Sequence, residues 1–161
     1  MDNTRDNGKK YAFNYFMVYM GGQEEGELQS LLDECRGYAI LDCGCPQTVC
    51  GEKWVQDYIK TLSKEDQADI RIFPSKQSFT FGDGRAVKAN RRMKIPVWMG
   101  GVDGSLTMDV VDSNIPLLLS ISVMEKAGMV LDFQRVEVRM RGGKMRMRKI
   151  KSGHYAIPLS M

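Results

Sequence analysis

The chain has 161 residues, of which 43% are hydrophobic and 27% charged, and a net charge of +3. These are ordinary values for one globular domain, and no apolar run approaches the roughly 20 residues of a membrane span. The start, "MDNTRDNGKK", also lacks the apolar stretch of a signal peptide. We therefore expect a cytoplasmic protein that does not associate with membranes and whose four cysteines stay reduced.

The N-terminal part of the sequence has no clear pattern of secondary structure beyond one short run. Residues 1–10 are polar and are predicted to be disordered, whereas the aromatic-rich run at 11–20 is typical of a strand. The Gly- and Glu-rich stretch that follows is predicted to be a connector. We interpret residues 1–34 as a partly disordered N-terminal extension and 35–161 as the folded domain.

An apolar strand and an amphipathic helix flank a short turn. Residues 37–42 form an apolar run that ends at Asp42 and leads into a glycine turn. Residues 50–62 are predicted to form an amphipathic helix. Its apolar residues recur at helical spacing: Trp54, Val55, Tyr58, Ile59 and Leu62.

Three strand-like runs follow between residues 78 and 112, and Gly-Asp-Gly and Gly-Gly turns separate them. The first run predicts a hairpin over 79–90. Its tip consists of Gly82, Asp83 and Gly84.

The last third of the sequence is predicted to contain a helix and several further strands. The very apolar run at 115–133 predicts a strand, a short helix that ends at Gly128, and a second strand. The stretch at 135–151 is strongly basic, which can indicate nucleic-acid binding. Its apolar residues alternate with the charges, however, which favours a half-exposed hairpin. Many short strands with one or two short helices predict a mainly-β barrel or sandwich.

The cysteines do not have the spacing of a usual zinc site, which shows two close pairs of ligands separated by a loop. The candidate ligands are Cys35, Cys43, Cys45, Cys50 and the distant His154. Cys43 and Cys45 would point to the same face of an extended chain. We favour small buried thiols, and a zinc site and a catalytic thiol paired with His154 remain alternatives.

Four segments carry a resemblance to a known family: "LDCGCPQTVCG", "FGDG", "IPLLLS" and "SGHYAIPL", in this order. Their order resembles that of the retropepsin-like aspartic proteases of retroviruses and retrotransposons, over roughly residues 37–159. The resemblance implies a mainly-β, retropepsin-like acid-protease barrel with one lobe per chain.

The resemblance implies that Asp42 is the catalytic acid. The turn that the family writes as Asp-Thr/Ser-Gly is Asp42-Cys43-Gly44 in this chain. Cys43 thus replaces a hydroxyl residue that, in the family, hydrogen-bonds across the dimer, and Ser120 stands where a glycine is usual. A thiol is a weak donor and acceptor, so we expect this bracing to be weaker by on the order of 1 kcal/mol.

The resemblance also implies a flap and a supporting strand. The flap would close over bound peptide, and its tip corresponds to Gly82, Asp83 and Gly84. The strand would support the active-site loop ahead of a helix, and it corresponds to Leu117, Leu118 and Leu119.

A single Asp-x-Gly turn in this context requires a second copy of the chain. Hydrolysis of a peptide bond needs one group as base and another as acid, and two adjacent carboxyls that share a proton supply both. A C2 dimer brings two identical turns together. Together with this requirement, the resemblance implies a homodimeric aspartic endopeptidase without a cofactor, which processes the polyprotein of a retrotransposon or is encoded by a gene derived from one.

Other functions stay open at this point. Asp42 taken alone could be a turn aspartate that caps its own loop. A dimeric peptide-binding module that has kept the fold and lost activity is supported by Cys43 and Ser120. A zinc-dependent nucleic-acid module is supported only by the cysteines and the basic stretch, and we do not expect nucleic acid as a partner.

Overall fold

A computed structural model describes residues 10–12, 25–80 and 84–160 of the chain. The strands are β1 (Lys10–Ala12), β2 (Tyr38–Leu41), β3 (Val49–Gly51), β4 (Arg71–Phe73), β5 (Ser78–Thr80), β6 (Ala86–Met99), β7 (Val102–Val111), β8 (Leu117–Leu119), β9 (Val130–Asp132), β10 (Glu137–Met140), β11 (Gly143–Arg146), β12 (Arg148–Lys149) and β13 (Tyr155–Pro158). The helices are α1 (Glu25–Glu34), α2 (Glu52–Lys60), α3 (Lys64–Ala68) and α4 (Ile121–Lys126).

The strands form one large and one small sheet. In the large sheet the order is β1-β5-β6-β7-β3-β8-β2-β13-β12, with β4 paired to β6 at the side, and the small sheet has the order β11-β10-β9. The mainly-β class that the sequence predicts is thereby confirmed. The described part of the chain contains four helices, whereas the sequence predicts one or two.

The predicted connector in the N-terminal extension is instead a helix over part of its length. Residues 25–34 form α1, whose residues Leu31 and Leu32 are buried. The predicted strand at 11–20 overlaps β1, and its residues 13–20 lie outside the described part of the chain. The glycines of this stretch are typical of a loop, whereas α1 depends on Leu31 and Leu32, which residues distant in sequence bury.

The central strands separate two apolar clusters. The parallel pair β2–β8 and the antiparallel pair β2–β13 place alternate residues on opposite faces. One face carries Leu41 and Leu119 into the larger cluster, which also contains the buried side of α2. The other face carries Ile40 and Leu118 into a smaller cluster. The strand pair that leads to the aspartate turn is therefore buried on both sides.

The predicted hairpin over 79–90 is present in its strands. β5 pairs antiparallel with the start of β6, with Thr80 opposite Ala86. On its other edge β5 pairs in parallel with β1. Gly84 is the one residue of the predicted tip within the described part of the chain, and Gly82 and Asp83 lie outside it.

The amphipathic helix predicted over 50–62 is α2, and the structure shows it at Glu52–Lys60. Trp54, Val55 and Tyr58 are its buried residues, as the spacing predicts. Arg91 of β6 binds the first residue of the helix through two bonds, of 2.6 and 2.8 Å, to the Glu52 carboxylate. This pair ties the start of α2 to the long hairpin β6–β7.

The basic stretch forms a half-exposed hairpin, as its alternation predicts. β10 and β11 pair antiparallel, with Val138 buried and Arg139 and Lys144 exposed opposite each other. Gly128 follows Ala127, the C-cap of α4, and has a φ of +66°, which agrees with its predicted place at the end of a helix. Within the described residues, no helix has the length and apolar character needed to cross a membrane.

We expect Glu52→Gln to reduce stability in a pH-dependent way. Hydrogen bonds from Arg91 lower the pKa of Glu52 from an ordinary 4.5 to about 2. Because the folded pKa is the lower one, the ionised pair stabilises the fold above about pH 4.5, and this contribution is lost as the pH falls towards 2. The site is partly exposed, so the expected difference at pH 7 is about 1 kcal/mol.

Urea unfolding of wild type and Glu52→Gln at a series of pH values measures this difference. The exposed Glu125→Gln is the control, and its difference from wild type is expected to stay within about 0.5 kcal/mol. A Glu52→Gln difference that is the same at pH 3 and pH 7 would contradict the ion pair.

Candidate active site

Asp42 lies directly at the end of β2, in the middle of the large sheet. Its backbone N–H donates to the carbonyl of Leu119 at 3.1 Å, which extends the β2–β8 ladder by one residue. Its own carbonyl accepts from the N–H of Cys45 at 2.9 Å and closes the turn. The carboxylate is thus attached to backbone that is fixed on both sides, as a positioned acid or base needs.

The turn gives Cys43 and Cys45 opposite degrees of exposure to solvent. Cys43 and Gly44 are exposed, whereas Cys45 is fully buried and its thiol donates to the carbonyl of Gln47 at 2.9 Å. The expectation that Cys43 and Cys45 share a face is therefore wrong, because a turn and not an extended strand connects them. Cys43 is left accessible beside Asp42.

Burial controls the chemistry of the other thiols. It raises the pKa of Cys35 and of Cys45 to about 12, and at Cys45 the negative charge of Asp42 adds to the increase. Burial also raises the pKa of Cys50. These three thiols are therefore protonated at neutral pH and poor as nucleophiles or metal ligands. The prediction of small buried thiols is confirmed for them and is wrong for Cys43.

Two alternatives depend on the cysteines: a zinc site and a catalytic thiol paired with His154. In the ranges that the structure describes, no group of three or more His, Cys, Asp or Glu side chains is placed to hold a metal ion. His154, the partner considered for a catalytic thiol, has its Nδ1 2.8 Å from the hydroxyl of Ser152.

A pair of hydroxyls joins the turn region to α4. Thr48 and Ser120 are buried, and their side-chain oxygens are 2.9 Å apart. The Thr48 hydroxyl also accepts from the backbone N–H of Ser120, and Ser120 Oγ accepts from Val123 as the N-cap of the helix. Ser120 therefore has a structural use in this chain. A serine directly before a predicted helix indicates the N-cap role of Ser120. No local pattern indicates the contact between Ser120 and Thr48, because 72 residues separate them.

A buried carboxylate behind the turn is a further feature that the sequence did not reveal. Asp109 of β7 is fully buried, and Arg92 donates to it at 3.1 Å. Ser75 and Gln47 bind the same carboxylate at 2.7 and 3.0 Å. Since Gln47 follows the aspartate turn and Ser75 precedes β5, this acid connects the turn to the segment that enters the hairpin. Its bonds are all made, which fits a structural and not a catalytic carboxylate.

The remaining predicted site residues are placed as follows. Leu117, Leu118 and Leu119 form β8, all fully buried, in parallel register with β2. Gly84 is exposed with a φ of +86°, a conformation that favours glycine. β8 thus lies directly beside the turn, whereas the relation of the flap tip to Asp42 stays a prediction.

Asp42 is only 7% exposed in the single chain. By the two-residue alternation of a strand, its side chain continues the face of Ile40, which belongs to the smaller apolar cluster. One carboxyl on this face can be a base when ionised or an acid when protonated. A concerted acid–base hydrolysis needs a second group beside it.

Of the comparisons with known proteins, the one with solved structures finds a similarity. No family model and no curated protein matches the chain. Among solved structures, the retroviral protease-like domain of Ddi1 from Leishmania major is similar, with a TM-score of 0.46 and 13% sequence identity. The likeness covers 67% of this chain and 81% of that one. The roles of individual residues in this chain therefore have to come from its own geometry.

We expect Thr48→Val to loosen the junction between the turn and α4. The substitution keeps the shape but leaves the buried hydroxyl and N–H of Ser120 without this partner, which costs about 1–3 kcal/mol. Chemical denaturation measures the loss. Thr107→Val, the same exchange at an exposed position on β7, is the control and should stay within about 0.5 kcal/mol of wild type. Equal effects of the two substitutions would contradict the bracing.

Proposed function

We propose that the chain is one half of an aspartic endopeptidase and that two copies form the complete site. The observation that carries the proposal is the place of Asp42, at the end of a doubly buried strand and hydrogen-bonded through its backbone to Leu119 of β8. A tight turn follows at once, so the carboxyl stands where the sheet ends. This geometry suits an acid that meets its symmetry mate across a two-fold axis.

The two carboxyls would divide the chemistry between them. The ionised carboxyl takes a proton from water while the water oxygen attacks the carbonyl carbon of the peptide bond, and the protonated one donates to the carbonyl oxygen. As the tetrahedral intermediate collapses, the C–N bond breaks, the amine leaves with a proton from the first carboxyl, and the second carboxyl takes a proton from one hydroxyl of the intermediate, which restores the singly protonated dyad. Like charges a few ångströms apart keep one proton on the pair, which makes both roles available at the same pH.

The substrate would be an extended peptide. In chain order, the hairpin β5–β6 stands where the resemblance puts the flap. Gly84 lies between its two strands with a φ in the left-handed region. A polyprotein of the kind that retrotransposons encode is the substrate class that we propose.

A cavity of about 460 Å³ lies next to the turn and reaches Lys126. Its lining includes Gln47, Thr48 and Ser120.

A second candidate is a dimeric peptide-binding module without activity. It is favoured by the exposed thiol of Cys43 beside Asp42, because a thiol braces a dimer less well than a hydroxyl does. Cleavage of a peptide library, with inhibition by pepstatin, separates the two candidates, since the binding module would not turn over.

We expect Asp42→Asn to abolish proteolysis while preserving the dimer. An amide neither shares the proton nor accepts one, so the rate should fall by at least about 100-fold and up to about 10,000-fold. Dimerisation should be unchanged or stronger, because the substitution removes repulsion between two carboxyls. Library cleavage across pH and sedimentation measure the two effects.

Asp103→Asn, at an exposed position on β7, is the matched control and should cleave like wild type. Wild-type activity should peak on the acid side of neutrality, fall as the shared proton leaves, and decline more than linearly on dilution. An Asp42→Asn protein that still cleaves, or a monomer with full specific activity, would refute the dyad.

We expect Cys43→Ser to maintain or raise activity and to tighten the dimer, because it restores a hydroxyl to the exposed turn. Cys43→Ala, which has neither a hydroxyl nor a thiol, is the control and should neither raise activity nor tighten the dimer. Dimer dissociation constants and kcat/KM measure the effect. Loss of activity in Cys43→Ser together with loss of bound zinc would instead support the metal site.

A further inference from the structure

The basic stretch at 135–151 separates charge within the molecule. It contains eight Lys or Arg residues and one carboxylate, Glu137. Because the whole chain has a net charge of only +3, the residues outside this stretch are together net negative. A concentrated positive surface of this kind attracts polyanions. The eight basic residues are all exposed: Arg135, Arg139, Arg141, Lys144, Arg146, Arg148, Lys149 and Lys151.

Part of this charge lies on the solvent face of the small sheet. Val138 is fully buried in the larger apolar cluster. Its register partners on β9 and β11, Leu131 and Met145, pack against the same cluster. The rows of residues on either side of Val138 therefore point away from the core, and we call them the basic face. One row consists of Val130, Arg139 and Lys144, and the other of Asp132, Glu137 and Arg146.

Two cations of the basic face are left for a partner. The carboxylates of the face are directed to Arg139, which is 3.6 Å from both Asp132 and Glu137. Within the described residues, neither Lys144 nor Arg146 has an ion pair. These two residues are two positions apart on β11, so their side chains leave the sheet about 7 Å apart. Cations in such a row can follow the phosphates of an extended polynucleotide.

An exposed aromatic ring borders the basic face. Phe133 directly follows Asp132 and is 57% exposed. Its ring centroid lies 5.2 Å from that of Tyr155 on β13, and Lys149 Nζ lies 5.9 Å from the same tyrosine ring. Aromatic rings beside cations are the platforms on which the bases of single strands stack. The bases of a duplex already stack on each other, so the exposed ring favours a single strand.

We propose that the basic face and Phe133 bind a single-stranded polynucleotide. Lys144 and Arg146 contact phosphates, and a base stacks on the ring of Phe133. From the sequence alone nucleic acid is not expected, because alternation explains the basic stretch as a hairpin. Only the fold brings the rings of Phe133 and Tyr155 together beside that hairpin. The proposed endopeptidase uses none of these residues, so the two proposals are independent.

Binding of a fluorescent oligouridylate of about 15 nucleotides to the full chain tests the charges. The double variant Lys144→Gln with Arg146→Gln should bind at least about tenfold more weakly at low salt. The slope of log K against log salt should also fall by about 1.4, since each lost phosphate contact accounts for about 0.7.

Lys60→Gln with Lys64→Gln is the matched control for the charges. It removes the same charge at exposed positions on α2 and α3, outside the small sheet, and should bind within about twofold of wild type. Equal losses in the two double variants would reflect net charge alone and would overturn the proposal.

Phe133→Ala tests the stacking. It should weaken oligouridylate binding at least about fivefold and leave the salt slope unchanged, because it removes a ring and no charge. Phe73→Ala, the same exchange at an exposed position on β4, is the control and should bind like wild type. Both rings are at the surface, and melting temperatures check that both variants fold. An unchanged affinity of Phe133→Ala would contradict the proposed site.

Other polyanions provide the last comparison, with wild-type protein: an RNA duplex of the same length, vesicles that contain phosphatidylserine, and polyglutamate. The single strand should bind most tightly, because only unpaired bases offer a free face to Phe133. Equal or tighter binding of the duplex, the vesicles or the acidic peptide would overturn the assignment in favour of that partner. No peptide cleavage is measured here, so failure of the endopeptidase proposal would not change the result.

Discussion

The parallel pairing of β2 with β8 is the constraint on which the rest of the structure depends. The pair is buried on both faces, so its register is set by two apolar clusters at once. A slip by one residue would exchange Ile40 with Leu41 and turn Asp42 to the opposite face. The bond from the Asp42 N–H to the Leu119 carbonyl prolongs this ladder to the acid itself. A carboxylate in an ordinary surface turn would have no such fixed position.

Buried polar contacts then hold the surroundings of the turn. The Thr48–Ser120 pair connects the strand after the turn to α4, and Asp109 connects Gln47 to the long hairpin through Arg92. Such contacts add modest net stability but are costly to break, because each leaves a desolvated partner behind. They are suited to holding the turn in one arrangement, which the proposed dimer would require for its two carboxyls to meet within hydrogen-bonding distance.

Helix α1 is held to the sheet by both apolar clusters. Leu31 and, directly after the helix, Cys35 are buried in the smaller cluster together with Ile40 and Leu118. Leu32, the next residue of the helix, is buried in the larger cluster. Burial of these apolar side chains stabilises the single chain and joins residues 25–35 to the core that lies around β2 and β8.

The sequence by itself determined the features that depend on neighbours in the chain: the strand that delivers Asp42, helix α2, the hairpins, and the helix that Gly128 ends. Alternation, helical spacing and glycine turns are local signals, because each depends on residues that are close together in the sequence. Only the tertiary structure decided that a Glu-rich stretch becomes helix α1 with two buried leucines, that Cys45 is buried while Cys43 is exposed, and that Thr48 contacts Ser120. These outcomes depend on contacts between residues far apart in the sequence. Because burial is a property of the assembled chain, no local pattern contains it.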